Sequence, residues 1–320
     1  MKADWQHIIK LFSQQKILVV GDSMVDAYMW GNIHRQSPEA DVPIVDIQRY
    51  ERRLGGAANV AKNIAALGAK PILCSVIGEE DQGFFKLLKN QNLFSEGIIQ
   101  EKRKTTLKTR IICGDKHQLR VDEETNSPIQ YEKAFIDNTI LLMQEANAVI
   151  LQDYNKGVLT KFVIKKIIEA AKEKNIPIAV DPKKNNFWSY TNIDLFKPNL
   201  KEMNESLQTN ILGSNIQKIE KSAQKLQKKL NSKSVLVTLS ENGIFYFDKI
   251  GIHQKAFQRK IIDVSGAGDS VIAAATLALA CKTNSQELCT LANLAGGLVC
   301  EEVGVVPIKK EVLLKELMMD

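Results

Sequence analysis

The stretch D-V-S-G-A-G-D-S at residues 263–270 opens directly onto an apolar run at residues 271–280. Two glycines flank Ala267, so the backbone can turn tightly and expose its amides where a helix is predicted to begin. The first amides of a helix lack internal partners and lie at its positive end, which suits a phosphate. Asp269 would then take a proton from an attacking hydroxyl. A plain loop turn with Asp269 as a capping carboxylate fits this octapeptide equally well.

Composition describes an ordinary globular protein. The 320 residues are 44% hydrophobic and 25% charged, a balance that allows a large core. The net charge of +6 is spread along the chain, and its densest basic segments, 102–108 and 218–233, are broken by acids or apolar residues. This pattern favours solvated surfaces over nucleic-acid binding. We therefore predict no nucleic-acid partner.

Cysteine spacing and apolar run lengths bear on the cellular compartment. The five cysteines show no C-x-x-C spacing and the four histidines do not cluster with them, which predicts buried thiols in a reducing compartment and no zinc site. Charged residues precede a short first apolar run, so no signal peptide is expected. No uncharged apolar run reaches the roughly 18 residues of a membrane span. We predict a cytoplasmic protein with no membrane partner.

Short apolar strands alternate with helical patterns through most of the chain. The segment K-I-L-V-V-G at 16–21 predicts a strand buried on both faces of a parallel sheet. Three later strands in a row end in polar clusters, D-Y-N-K-G, D-P-K and K-P-N-L-K-E. Ligands gather outside the carboxyl ends of such strands, so this edge is the predicted binding edge. Asp22 and Asp26 face it too, although a turn acid and a helix N-cap explain them as simply.

Two strand-rich inserts, at about 28–53 and 105–122, interrupt this alternation. The second contains T-L-K-T-R-I-I-C, whose alternation places Lys108 and Arg110 on one face. Together the inserts predict a small β-sheet lid that closes over a ligand. Between them Gly55 and Gly56 precede an alanine-rich helix that carries Asn59 one turn in. Small residues there allow close backbone approach to a neighbouring strand or a ligand.

These motifs together resemble a known enzyme family. G-G-A-A-N-V-A at 55–61 resembles the N-terminal signature of the ribokinase-like (PfkB-type) carbohydrate kinases, and residues 263–270 resemble their C-terminal signature. N-x-x-E at 199–202 and T-L-S-E-N-G at 238–243 resemble two intermediate motifs, with Ser240 in place of the usual first glycine. No P-loop and no G-x-G-x-x-G motif is present. The resemblance implies an α/β, ribokinase-like three-layer sandwich with a mainly parallel central sheet, as one kinase domain over residues 1–320.

Several segments, including S-P-E-A-D-V-P at 37–43, resemble the branch of this family that acts on heptose 7-phosphate. The resemblance implies ATP-dependent phosphorylation of the anomeric hydroxyl of D-glycero-D-manno-heptose 7-phosphate, for lipopolysaccharide core precursor synthesis. The H-x-G-H motif of the nucleotidyltransferase often fused to it is absent, so no such domain is expected. Another sugar or nucleoside kinase of the family, and a catalytically inactive sugar-binding regulator, stay open as alternatives.

The resemblance also implies roles at the site. Asp269 is the expected base, and the amides of Gly266, Ala267 and Gly268 would hold the charge of the transferring phosphoryl group. ATP and Mg²⁺ are the expected cofactors, with Mg²⁺ held through water by Asn199 and Glu202. The other residues expected to contact the nucleotide are Thr238, Gly243 and Asn293.

On the sugar side, hydroxyls are expected to bind Asp22, Asp26, Gly55, Gly56 and Asn59. The candidate cations for the 7-phosphate, by charge and location, are Lys108, Arg110, Arg120, Lys156 and Lys183. A monovalent cation such as K⁺ is expected beside Asp263 and the carbonyls of residues 303–304. A homodimer is expected through a sheet shared between lids.

Overall fold

A large sheet and a small sheet make up the strand framework. The computed structural model describes residues 3–79, 81–114 and 116–319. The strands in this part of the chain are β1 (Lys16–Gly21), β2 (Ser23–Gln36), β3 (Pro43–Gly56), β4 (Lys70–Gly78), β5 (Gly97–Glu101), β6 (Thr106–Cys113), β7 (Lys116–Glu123), β8 (Ala148–Gln152), β9 (Ile178–Asp181), β10 (Leu195–Phe196), β11 (Ser234–Thr238), β12 (Ile244–Phe247) and β13 (Gly251–Gln254).

Helices connect most of the strands of the large sheet. They are α1 (Trp5–Phe12), α2 (Ala57–Ala66), α3 (Gln82–Asn90), α4 (Glu132–Met143), α5 (Lys161–Glu173), α6 (Leu200–Leu207), α7 (Ile216–Leu230), α8 (Ala267–Ala280), α9 (Ser285–Val299) and α10 (Lys310–Leu317). Two short 3₁₀ helices span Lys184–Ser189 and Ser240–Asn242. No helix among the described residues combines the length and apolar character that crossing a bilayer requires.

The large sheet is parallel over most of its width. Within the described residues its nine strands run in the order β13-β12-β11-β10-β9-β8-β1-β4-β5. The antiparallel pairs are β11–β12 and β12–β13, both at one edge. The strands that precede the three polar clusters, β8, β9 and β10, are parallel neighbours. Their carboxyl ends therefore meet at one edge, as the sequence predicts.

Both faces of this sheet are covered, which makes three layers. In β1, Ile17 and Val19 face one core, while Leu18 and Val20 face the other, and all four are fully buried. Residues of α1, α2, α3, α8, α9 and α10 pack in the first core, and residues of α4, α5 and α7 pack in the second. Burial of each such side chain stabilises the fold by about 1.5–3 kcal/mol. The predicted ribokinase-like three-layer sandwich is confirmed.

The small sheet is the predicted lid. Its order is β3-β2-β6-β7, so strands from both inserts join in one sheet. β2 and β3 form a long antiparallel pair, and β6 lies parallel to β2. The lid strands reach closer to the core than the segments predicted at 28–53 and 105–122, because the chain passes from β1 through Asp22 directly into β2.

The sequence pattern does not indicate the edge strands β5 and β13, since their short sequences carry little alternation. The alanine-rich helix α9 ends at Val299. The chain leaves the helix there because the following loop packs on the lid: a Cβ on Gly304 would lie 2.7 Å from the Tyr28 ring, and the Val305 amide donates to the Tyr28 hydroxyl at 2.9 Å.

Candidate active site

Helix α8 begins at the turn formed by residues 266–268, here called the signature turn. Gly266 has a φ of 83°, a left-handed conformation that glycine adopts at little cost, and Ala267 is the first helical residue. The turn is also crowded, since a Cβ on Gly266 would lie 3.1 Å from the side-chain Nδ2 of Asn59. Asp269 therefore lies in the first turn of α8, beside α2, and its exposed fraction is only 3%.

Three side chains donate hydrogen bonds to the carboxylate of Asp269. Asn59 Nδ2 donates to Oδ2 at 2.8 Å. Tyr154 Oη donates to Oδ1 at 2.7 Å and Gln152 Nε2 donates to the same oxygen at 3.2 Å. Burial raises the pKa of Asp269 to about 6, although the hydrogen bonds from Asn59 and Tyr154 act in the opposite direction. The carboxyl group can therefore both release and accept a proton near neutral pH.

A buried ion pair lies next to this carboxylate. Lys197 Nζ lies 3.1 Å from Asp181 Oδ2, and Gln152 Nε2 donates to that same oxygen at 3.1 Å. A Cβ on Gly268 would lie 3.7 Å from Lys197 Nζ. An ammonium group and the first turn of α8 thus face a common space beside Asp269, an arrangement that suits a phosphoryl group.

The two glycines before α2 allow the lid to approach the core closely. A Cβ on Gly55 would lie 2.1 Å from Asp26 Oδ2, and one on Gly56 would lie 2.3 Å from the carbonyl oxygen of Asp22. Asp26 is buried and pairs with Arg110 at 2.5 Å. The structure therefore brings Gly55, Asp26 and Arg110 together, at the base of the lid.

Asp22 anchors a loop at the carboxyl end of β8. Its carboxylate accepts hydrogen bonds from the backbone amides of Tyr154, Lys156 and Val158 at 2.8 to 3.0 Å. Burial and the charge of Asp153 raise its pKa to about 6. This carboxylate holds the D-Y-N-K-G loop in place, and its expected contact with a sugar stays a prediction.

A cavity of about 520 Å³ lies along the other side of α8. Its walls include five residues predicted from sequence: Thr238, Gly243, Ala267, Gly268 and Asn293. Apolar side chains such as Val271 and Ile261 line the same space, and a mostly apolar cavity with a few polar groups is typical of a small-molecule site. The signature turn lies between this cavity and Asp269.

The N-x-x-E motif begins α6 as a capping box. The Glu202 amide donates to Asn199 Oδ1 at 2.8 Å, and the Asn199 amide donates to Glu202 Oε2 at 2.9 Å. The other carboxylate oxygen of Glu202 forms an ion pair with Lys183. One carboxylate and one amide are too few to strip a magnesium ion of its water, so these residues fit contacts through water. Lys183 lies with this motif and not with the lid cations.

Two lid-side lysines converge on one acid. Glu124 Oε2 lies 2.7 Å from Lys156 Nζ and 3.6 Å from Lys108 Nζ. Lys108 also pairs with Asp122 at 3.1 Å. Arg120 pairs with Asp122 too, but its side chain is 58% exposed. Lys108 and Lys156 are therefore held within reach of a single anionic group, whereas Arg120 lies at the periphery.

Asp263 is engaged with its own loop. Its carboxylate accepts from the Ser265 amide at 2.9 Å and the Gly304 amide at 2.8 Å. The carbonyl of Val303 accepts from Arg53 Nη1 at 2.9 Å. Because these oxygens already accept hydrogen bonds, they do not form a preformed cation-binding site. The expected monovalent cation beside Asp263 stays a prediction.

Comparison with known proteins agrees with this geometry. The family model described as pfkB family carbohydrate kinase matches residues 14–311. The chain belongs to the pfkB family of carbohydrate kinases. Members transfer a phosphoryl group to a sugar hydroxyl, and the family implies ATP and a divalent metal ion.

One relative and two solved structures illustrate the likeness of this pfkB kinase to other proteins. The bifunctional protein HldE of Campylobacter jejuni is 41% identical over 304 residues, which cover 94% of this chain and 65% of the relative. Escherichia coli phosphofructokinase-2 in complex with potassium superposes with a TM-score of 0.79 at 20% identity, covering 95% and 98% of the two chains. Thermotoga maritima ribokinase superposes with a TM-score of 0.72 at 19% identity, covering 96% of this chain and 100% of the ribokinase chain. The two structures show the fold alone.

Sequence reasoning missed several residues of this kinase's site. Gln152, Tyr154, Asp181 and Lys197 all surround Asp269 or its neighbours, and none was singled out. Each lies in or beside one of the polar clusters that end β8, β9 and β10, so strand-end position was the signal that could have found them.

The raised pKa of Asp269 predicts a measurable effect on stability. The pKa of Asp269 in the folded protein, about 6, lies above its ordinary value of 3.8. Its protonated form therefore stabilises the folded state fully below pH 3.8, and this stabilisation is lost as the pH rises through 6. Above pH 6 the buried charge costs on the order of 3 kcal/mol. Asp269→Asn should therefore raise the Tm at pH 8, with a gain that shrinks towards pH 5.

The measurement is thermal denaturation of both proteins from pH 5 to pH 8. Asp137→Asn is the matched control, since Asp137 is exposed on α4, and its Tm should follow the unchanged protein at every pH. A gain for Asp269→Asn that is constant with pH would contradict the assigned shift.

Proposed function

We propose that this protein phosphorylates the anomeric hydroxyl of D-glycero-D-manno-heptose 7-phosphate, with ATP as donor, to give the 1,7-bisphosphate used in ADP-heptose and lipopolysaccharide core synthesis. The observation that carries a kinase role is Asp269, a buried carboxylate in the first turn of α8 beside Lys197. Support for the heptose comes from the S-P-E-A-D-V-P and D-Y-N-K-G segments and from the likeness to HldE.

In this proposal Asp269 orients the sugar hydroxyl and receives its proton. The hydroxyl oxygen forms a bond to the terminal phosphorus of ATP as the bond to ADP breaks, and the proton passes to the carboxylate. Because the transition state is loose, positioning matters more than basicity. The amides of Gly266, Ala267 and Gly268, with Lys197 nearby, stabilise the charge on the phosphoryl oxygens.

The nucleotide would lie in the cavity lined by Thr238, Gly243 and Asn293. Magnesium, when bound with ATP, would neutralise phosphate charge, and Asn199 and Glu202 would hold it through water. A carboxylate that already carries an ammonium partner, as Glu202 does with Lys183, presents a balanced charge to the triphosphate. The structures related by fold include one solved with potassium, and a K⁺ requirement here stays a prediction.

The sugar would lie between the lid and the strand ends, against Asp26, Asn59 and the glycines before α2. For the 7-phosphate we propose Lys108 and Lys156, because their ammonium groups already converge on one anionic oxygen of Glu124. Arg110 is committed to Asp26 in a buried pair. Arg120 is too exposed for a strong contact with the phosphate.

We propose that residues 1–320 form one kinase domain that acts in the cytoplasm. All five cysteines lie in the described part of the chain as free thiols, which suits a reducing compartment where ATP is supplied. The chain spans 65% of the length of the HldE relative, so only the kinase reaction is proposed.

Turnover tests the proposed function directly. ADP release with Mg-ATP should require D-glycero-D-manno-heptose 7-phosphate and should be near background with ribose, fructose 6-phosphate or adenosine. Asp269→Asn should lose activity by about 10²-fold or more, since the base is removed. Preferred turnover of another sugar would discard the heptose assignment, and binding of a sugar without turnover would favour a non-catalytic regulator.

Substitution of one proposed phosphate-binding lysine should weaken binding of the 7-phosphate group without affecting binding of the rest of the sugar. Lys108→Met or Lys156→Met should raise the KM for the heptose 7-phosphate about tenfold or more, because a hydrogen bond to a charged group is lost. The KM for the heptose without its phosphate should hardly change. Lys116→Met, an exposed lysine of the same sheet, is the control. Equal effects on both sugars would place the phosphate elsewhere.

We also propose that two copies of the chain pair through the lid. One row across the four lid strands is apolar: Tyr50, Met29, Ile111 and Leu119 lie side by side. Tyr50 is 49% exposed and Leu119 57%. A continuous apolar row on an open sheet is typical of an interaction surface, and the other face of the sheet carries Asp26 and Arg110.

Sedimentation velocity tests this dimer. The unchanged protein should sediment as a dimer, and Leu119→Glu should yield monomers because a charge would be buried in the interface. Leu212→Glu, at a leucine that is 70% exposed outside the lid, should stay dimeric. A monomeric unchanged protein would refute the proposal.

A further inference from the structure

Tyr154 makes a contact with Asp269 that the family resemblance did not assign. Its hydroxyl donates to Oδ1 of Asp269 at 2.7 Å, and Gln152 donates to the same oxygen at 3.2 Å. Asn59 donates to Oδ2 at 2.8 Å. An ionised carboxylate has about four acceptor positions, so Oδ1 is saturated and one position remains, on Oδ2.

The backbone that carries Tyr154 is held firmly. The Tyr154 amide donates to Asp22 Oδ2, and the amides of Lys156 and Val158 donate to the same buried carboxylate. On its other side the ring faces Lys183, whose ammonium lies 5.5 Å from the ring centroid. The hydroxyl is thus presented to Asp269 by a loop with little freedom.

Resting on the proposed function, we propose that Tyr154 is a positioning residue for the base: it occupies Oδ1 of Asp269 and leaves Oδ2 to accept the proton of the sugar hydroxyl. In the step, the sugar O–H bond breaks and its proton moves to Oδ2, while the sugar oxygen bonds to phosphorus and ADP leaves with the electron pair of the broken O–P bond. Tyr154 keeps its own proton throughout.

The state of both groups follows from their surroundings. Burial, together with the charge of Asp269, raises the pKa of Tyr154 well above its ordinary value of 10, so the phenol stays a donor. Burial raises the pKa of Asp269, and the Tyr154 hydrogen bond lowers it. Loss of the hydroxyl should therefore raise that pKa further. The other charged groups that act on Asp269 are Asp181, Lys197, Lys183 and Lys62.

The test is the pH profile of kcat/KM for Tyr154→Phe between pH 5 and pH 9. The acid limb, which reports the ionisation of Asp269 in the free enzyme, should move up by about one pH unit, the size of one charge-assisted hydrogen bond. The loss of kcat/KM relative to the unchanged enzyme should therefore be largest at low pH and should shrink towards pH 9. Site-specific 3-fluorotyrosine, a stronger donor of the same shape, should move the limb down.

Tyr190→Phe is the matched control. Tyr190 is buried and its hydroxyl donates to Asp153 at 2.6 Å, so the change removes the same kind of hydrogen bond next to Tyr154 without touching Asp269. Its acid limb should coincide with that of the unchanged enzyme. A uniform loss of rate at every pH in Tyr154→Phe, or an equal shift in Tyr190→Phe, would overturn the proposal.

A second readout needs no sugar and therefore survives a wrong substrate assignment. Tyr154→Phe should lower the Tm more at pH 8 than at pH 5, because it removes a partner of the ionised carboxylate. In the Asp269→Asn background, Tyr154→Phe should lower the Tm by the same amount at both pH values. If this pattern holds while the heptose phosphate is not turned over, the substrate is wrong and the link from Tyr154 to Asp269 stands. A cost independent of pH in both backgrounds would refute that link.

Discussion

The arrangement of the site depends on keeping the carboxylate of Asp269 both buried from water and able to ionise. In the proposed mechanism Asp269 works beside a phosphoryl group and shielded from water, yet desolvation favours its neutral form. The fold meets this conflict with donors from three separate elements: Asn59 on α2, and Gln152 and Tyr154 at the end of β8 and in the loop beyond it. Small residues at the start of α8 allow these elements to approach so closely. The chemistry of the site is therefore inseparable from its packing.

The same constraint explains where charge is placed around the site. Lys197 pairs with Asp181, and Lys183 pairs with Glu202, so cations and anions alternate along the strand ends instead of forming a single positive patch. Each of these four charges therefore has a partner, which limits its desolvation cost. In the proposed function, the triphosphate of ATP would compete with these carboxylates for the ammonium groups.

The lid is tied to the core at its base and open at its tip. Asp26 and Arg110 form a buried pair there, Arg53 contacts the carbonyl of Val303, and Tyr28 accepts from Val305. The contacts of Arg53 and Tyr28 join the lid to the loop that follows α9, and the Gly304 amide of that loop donates to Asp263 beside the signature turn. The position of the lid and the conformation of the signature turn therefore depend on one set of hydrogen bonds. The outer strand β7 is exposed along its length.

The sequence by itself determined the framework. The apolar segments at 16–21 and 148–152 coincide with β1 and β8, because strands buried on both faces must be apolar throughout, and the two signatures identified the family. Tertiary structure alone decided how residues far apart in the chain meet. The sequence could not show that the carboxylate of Asp22 accepts hydrogen bonds from three backbone amides, or that Tyr154, in a loop, contacts Asp269. Local patterns record which residues are buried and where strands end. The hydrogen-bond partners of a polar group depend on which strands are neighbours in the sheet. That strand order is determined only when the sheet assembles.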